Sequence, residues 1–230
     1  MFGGAQHREK RKYAEVVLIV VVVFLLYQIV TTYLLAPSIV RQGADAMMPT
    51  FSFGNRIIST PIYNEASLKR GSLVFVVGRS EEHSHFFLRT LNAVVSFLTL
   101  NIFAPLENSA EFSTKPLLRR IVALPNDSIY MKDFILYVKK EGEEHFLTEF
   151  ELADVDYNIN TEGLISSWQK DLPFSGTMEE VKLKDGEYFV LCDNRMFGFD
   201  SRLMGKIEAK KNIKQKVLMR FWPLNKIKIF

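Results

Sequence analysis

A single cysteine, Cys192, stands among 230 residues, so no disulfide can close within the chain and the fold must be held by apolar burial. Histidine is also scarce, with four in all. His83 and His85 read as a loop pair, and no Asp or Cys pattern around them has metal-site spacing. No metal and no cofactor are therefore expected. Internal repeats and low-complexity tracts are absent. The net charge is only +3, and the basic residues are dispersed rather than gathered into a stripe, which argues against a nucleic-acid partner. What remains is an ordinary globular composition, 48% hydrophobic and 24% charged.

Charge is missing altogether from one stretch. Val16 to Leu35 carries none, and Val16 to Leu26 is wholly apolar. Twenty helical residues rise about 30 Å, enough to cross the hydrocarbon core of a bilayer. A cleaved signal peptide shares the charged start and apolar middle. Its exit would be wrong, however, because Pro37 directly follows Ala36, the only small residue available for cleavage. The stretch 16–36 therefore reads as an uncleaved signal anchor with the lipid bilayer as its partner. Arg8, Lys10, Arg11 and Lys12 precede it and the next charge is Arg41. The positive-inside rule then leaves the basic segment 1–15 cytoplasmic and residues 37–230 outside, in a single-pass protein of the cell (inner) membrane.

Past Arg41 the pattern is one of short strands. Segments 56–60, 72–77, 118–124, 134–138, 187–191 and 217–221 are rich in β-formers, and Pro125-Asn126-Asp127 and Lys184-Asp185-Gly186 mark turns. Many short strands with few long helical patterns predict a mainly β, antiparallel fold. Two segments depart from it. Residues 86–103 form an apolar insertion whose polar residues recur at helical spacing; an interfacial or docking helix, a core helix and a second span all fit. Residues 141–180 are acidic, with Glu141, Glu143, Glu144, Glu149, Asp154 and Asp156, and read as a solvated insertion or small subdomain.

Three further stretches carry the functional signal. They are Gly43-Ala44-Asp45-Ala46-Met47-Met48-Pro49-Thr50, then Leu118-Arg119-Arg120-Ile121-Val122-Ala123-Leu124-Pro125-Asn126-Asp127, then Cys192-Asp193-Asn194-Arg195 with Asp200-Ser201-Arg202. Each alone is weak. In this order, behind an anchor, the set resembles type I signal peptidases, membrane serine proteases that remove signal peptides with a serine nucleophile and a lysine base. That family reads Ser-x-Ser-Met-x-Pro-Thr in the first box and Lys-Arg-x-x-Gly-Leu-Pro-Gly-Asp in the second. The resemblance covers most of the chain, leaving out 86–103 and also 141–180, the second of which falls where the family carries a variable β insertion. Ala123, Asn126 and Cys192 stand where the family has glycines.

The resemblance implies a role for each matched position, and four of them hold residues that cannot perform it. The nucleophile position is Ala46, with no hydroxyl. The base position is Arg119, whose guanidinium stays protonated and cannot accept a proton. The oxyanion position is Ala44, and the position that should orient the base is Gly198. Met47, Phe51, Leu117 and Leu118 match substrate-lining positions, although the bulk of Phe51 is enough to fill a small pocket. Pro49 shapes the adjoining turn. Arg120 and Asp193 match a structural ion pair, while Arg195, Asp200 and Arg202 match the framework of the last box. Ser38, Thr50 and Ser201 are the nearby hydroxyls and Lys115 the nearest lysine, none at a matched position. A permanent charge at Arg119 needs a partner, and Asp45 is the nearest new carboxylate, so an Asp45–Arg119 pair is expected unless strand alternation turns Asp45 away.

The resemblance thus implies a signal peptidase I family protein of the secretion pathway that is catalytically silent. Its expected partners are the bilayer, the signal peptides of pre-proteins, bound weakly, and an active paralogue. The alternative from the enzyme class is a divergent, active serine endopeptidase with a displaced nucleophile.

Overall fold

The computed structural model describes residues 3–30, 34–40, 44–77, 116–161, 176–196 and 199–230. Helix α1, Gly3–Ile29, is followed by β1 (Ala36–Ile39), β2 (Arg56–Thr60), β3 (Leu73–Val76) and β4 (Leu117–Ala123). Next come β5 (Ser128–Lys132), β6 (Ile135–Lys139), β7 (Leu147–Thr148), β8 (Met178–Lys182) and β9 (Glu187–Leu191). The chain closes with β10 (Ile207–Glu208), β11 (Ile213–Trp222) and β12 (Lys228–Ile229). Every strand pair is antiparallel. The fold is mainly antiparallel β, as the strand-rich pattern implies. The insertion expected to be helical at 86–103 lies outside the described residues.

Within α1, Lys12–Ile29 is long and apolar enough to span a membrane. Its valines and leucines point outward along the helix rather than into a core, so only an apolar surrounding would satisfy them.

The large sheet runs β1-β2-β11-β3-β4-β9-β10, with β12 added to β11. A second sheet runs β7-β6-β5-β8. Alternation along β2, β5 and β6 sends every second side chain inward, and the core divides accordingly. One cluster, with Val74, Ile121 and Val190, lies among β3, β4 and β9. A second joins Ala123 and Leu191 of the large sheet to Ile129, Met131, Leu136 and Val138 of the small one. A third gathers Met47, Phe51, Ile57, Leu73, Leu118 and Val217 around the first box.

The acidic segment is less solvated than its composition suggests. Thr148 and Glu151 form a reciprocal capping box on a short helix, Glu149–Leu152. That cap turns Glu149 inward, to 1% exposure. Gly71 sits in the left-handed region at φ +88°, and its Cα side approaches Ala153 and Val155, which binds the turn before β3 to this same segment.

Candidate functional site

Asp193 joins the three boxes. From the second box, Arg120 donates to it through Nε (2.7 Å) and Nη2 (2.6 Å). From the first, the Thr50 hydroxyl donates to Asp193 Oδ2 and accepts from Arg120 Nη2 (3.1 Å). Arg120 Nη1 reaches the Gly71 carbonyl (2.7 Å), and the Tyr157 ring lies 4.0 Å over the guanidinium. The next residue, Asn194, donates its backbone N–H to Ala46 O (3.0 Å). Residues distant in sequence thereby meet in one buried cradle.

A second ion pair supports the first from the small sheet. Arg195, wholly buried, pairs with Glu149 at 2.5 Å and donates to Phe134 O at 3.0 Å. Glu149 also accepts from Leu136 N (3.0 Å) and from the Tyr157 hydroxyl (2.5 Å). Burial and the Glu149 charge push the Tyr157 phenol well up, so it stays protonated as a donor. Tyr157 therefore bridges the two pairs, bonding to Glu149 by its hydroxyl and covering Arg120 with its ring. Charges this deep are tolerated only because each has a partner of opposite sign.

Asp200 forms the third pair, with Arg202 at 2.9 Å, and also accepts from Cys192 N (3.0 Å). Burial alone would raise its carboxyl, but Arg202 and the two backbone donors hold it below the usual range. Cys192 is fully buried; burial first and then Asp200 drive its thiol well up. Such a thiol is inert.

The positions singled out by sequence divide clearly. Ala46 is buried in a short 3-10 turn, Ala44–Met47, beside the joined boxes. Gly198 lies outside the described residues, as do the side chain of Ala44 and the whole of Lys115. Met47 and Phe51 are packed in the third core cluster; Phe51 has no exposed surface and tilts against Phe230 with centroids 5.4 Å apart. Leu118 joins that cluster and Leu117 is half-buried. The Met48–Pro49 peptide is cis. Asn126 adopts φ +69°, a left-handed conformation that glycine enters freely and asparagine tolerates.

The expected Asp45–Arg119 pair is not formed. Asp45 is exposed: it lies on the 3-10 turn Ala44–Met47, which buries Ala46 and Met47 and leaves Asp45 facing solvent. Arg119, at 4% exposure, instead donates through Nε to Phe199 O (2.8 Å) and through Nη1 to Leu118 O (2.5 Å). Among the described residues it has no carboxylate partner. Glu149 and Tyr157 were missed by sequence reasoning. The signal that could have found them is the Thr148-x-x-Glu151 capping box, which marks a helix start inside the acidic stretch.

Comparison with known proteins agrees with this architecture. The family model described as "Signal peptidase, peptidase S26" matches residues 13–222. Signal peptidase IB of Staphylococcus aureus strain Mu50 is 25% identical over 223 residues, spanning 95% of this chain and 94% of its own. Signal peptidase I P of Bacillus subtilis subsp. natto is 25% identical over 226 residues, spanning 96% and 97%. With its three boxes joined at Asp193 and the family match running from the N-terminal apolar helix to the last long strand, the chain belongs to the signal peptidase S26 family.

Proposed function

We propose that this member of the family is catalytically silent and holds extended peptides, or an active paralogue, at the membrane surface instead of cutting them. The observation that carries this reading is the base position. Arg119 there is buried at 4% exposure and committed to two carbonyls, and a guanidinium cannot take a proton from a nucleophile. Ala46 supplies no nucleophile to activate.

The remaining candidate groups support the same reading. The Thr50 hydroxyl is held between Asp193 and Arg120. Ser201 is buried and accepts from Val190 N at 3.0 Å. Ser38 Oγ is buried and, among the described residues, has no hydrogen-bond partner and so no base in contact with it. None has the nucleophile–base contact that acyl transfer requires. The charge asymmetry around α1 supports a cytoplasmic N-terminus, with the β domain outside at the cell membrane.

The test is turnover. Purified full-length protein in detergent, given a signal-peptide substrate with an Ala-x-Ala cleavage site, should show no cleavage above a buffer control. Turnover that survives repurification would overturn the silent reading and point to a displaced nucleophile.

A further inference from the structure

The small sheet carries a concavity of its own, on the face turned away from the core. Ile129, Met131, Leu136 and Val138 belong to the second core cluster. Alternation therefore sends Tyr130 and Lys132 of β5, and Tyr137 and Lys139 of β6, to the opposite face. Register sets Tyr130 opposite Tyr137. Their rings stack with centroids 4.8 Å apart and an interplanar angle of 2°. Phe146 stands across Tyr130 at 71°, also at 4.8 Å. Cross-strand stacking of this kind stabilises a sheet, which accounts for the aromatic residues but not for what stands beside them.

Beside them, the pairing of β5 with β8 is irregular. Ile129 pairs with Val181 and Met131 with Met178, so Glu179 and Glu180 together stand opposite Tyr130. Two residues against one make a β-bulge, a device that re-aims side chains and is common next to functional sites. Strict alternation would turn one of two neighbouring glutamates toward the core, whereas here both are exposed. With Tyr130, Lys132, Phe146 and Thr177 they line a cavity of about 340 Å³. That volume lies at the lower end of the roughly 300–1,000 Å³ of small-molecule sites. The cavity adjoins Tyr130 from the side of β8, away from Tyr137.

The charges around the cavity select its ligand. Glu179 and Glu180 repel an anion. Lys132 lines the same cavity and Lys139 Nζ already lies 4.9 Å from the Phe146 ring centroid, so a free cation meets like charge at the aromatic surface. What fits is a neutral ring that lays an apolar face on an aromatic one and carries hydroxyls around its rim. The glutamates accept from such hydroxyls, Lys132 donates to them, and the hydroxyls of Thr177 and Tyr130 do both. We propose that this face of the small sheet binds a neutral glycan, with one pyranose ring seated on Tyr130 and its hydroxyls donating to Glu179 and Glu180. The site is on a different sheet from Arg119 and does not depend on whether the chain cuts peptides. Such a contact tethers the domain to polysaccharide on the side of the membrane where it lies.

The experiment is a titration followed by saturation-transfer NMR, on full-length protein in a detergent that has no sugar head group. The probes are three neutral tetrasaccharides: chitotetraose, cellotetraose and maltotetraose. At least one is expected to saturate with a Kd of about 0.1–1 mM, the range of a small ligand on a shallow site. Tyr130→Ala should weaken that binding about tenfold or more. The double variant Glu179→Ala/Glu180→Ala should weaken it likewise. It changes only exposed side chains, so the test stands even where Tyr130→Ala fails to fold. Glu143→Ala, an exposed glutamate that does not line the cavity, should leave binding unchanged. Absence of saturable binding by all three saccharides overturns the proposal. Binding that survives the double variant places the glycan elsewhere and also overturns it. Tetramethylammonium that binds in a way dependent on Glu179 and Glu180, where no saccharide does, would make this an aromatic cation site and overturn the glycan assignment.

Discussion

Asp193→Asn is the most informative single perturbation of this domain. Asp193 has no exposed surface and Arg120 has 1%, so water cannot replace a lost partner. The aspartate accepts from Arg120 Nε at 2.7 Å, from Arg120 Nη2 at 2.6 Å and from the Thr50 hydroxyl. Asparagine is the same size but keeps one acceptor oxygen and presents an NH2 group where the other stood. One Arg120 N–H then faces the amide NH2, donor against donor, and the guanidinium keeps neutral partners only: the remaining amide oxygen, Gly71 O, the Thr50 hydroxyl and the Tyr157 ring. Removing one member of a buried pair costs about 3–5 kcal/mol, because the survivor is an uncompensated charge. A kcal/mol shifts the melting temperature of a domain this size by roughly 2–4 °C. Near-UV circular dichroism of the full chain in detergent should therefore melt roughly 6–20 °C lower. Arg120→Met/Asp193→Leu should recover much of that loss, since replacing both charges by apolar groups is often neutral. A loss for Asp193→Asn of less than about 1 kcal/mol, the worth of an exposed pair such as Lys69–Asp154, would refute the claim that Asp193 joins the boxes.

Two further outcomes follow from the same packing. Phe51→Ala should destabilise by about 3–5 kcal/mol, as an aromatic ring lost from a core, because its ring is buried against Phe230 and beneath Arg220; a near-neutral effect in the same melt would mean that the ring faces an open groove. Asp200 has a folded-state carboxyl held low, so its contribution is fully present above the unfolded value of 3.8 and is lost as pH falls through the folded one. Melting temperature should thus drop more steeply with acid below about pH 4 in the wild type than in Asp200→Asn, and parallel slopes would show that Asp200 does not titrate with unfolding.

Residue identity alone determined a good deal about this protein. The charge-free run from Val16 to Leu35 makes a helix fit for a membrane in any tertiary context, since hydrocarbon tolerates nothing else of that length and composition. Runs of β-branched and aromatic residues between turn signals were enough for the antiparallel class, and most of the expected strands recur within a few residues. The strand Ser128–Lys132 was not anticipated, because its polar residues alternate with Ile129 and Met131 over too short a span to stand out. The functional groups at positions 46 and 119 are likewise a matter of residue identity: alanine has no hydroxyl and arginine no lone pair to offer, whatever surrounds them.

Partner choice was a different matter. Asp45 lies one residue from Ala46, yet a 3-10 turn faces it to solvent, and local sequence does not reveal that turn. Glu149 looked like one of several solvated acids; only the docking of its helix against Phe134 and Leu136 brings it to Arg195. Phe51 matched a lining position and proved to be core, because Phe230, nearly 180 positions onward in a chain that folds back through β12, closes over it. Arg119 shows the division most sharply. Sequence determined that its charge is permanent, while the packing of the chain around β4 decided that the guanidinium lies buried against the carbonyls of Phe199 and Leu118. Which groups a residue carries is a local property; what stands opposite them depends on register and loop paths, and these are decided only when the whole core packs.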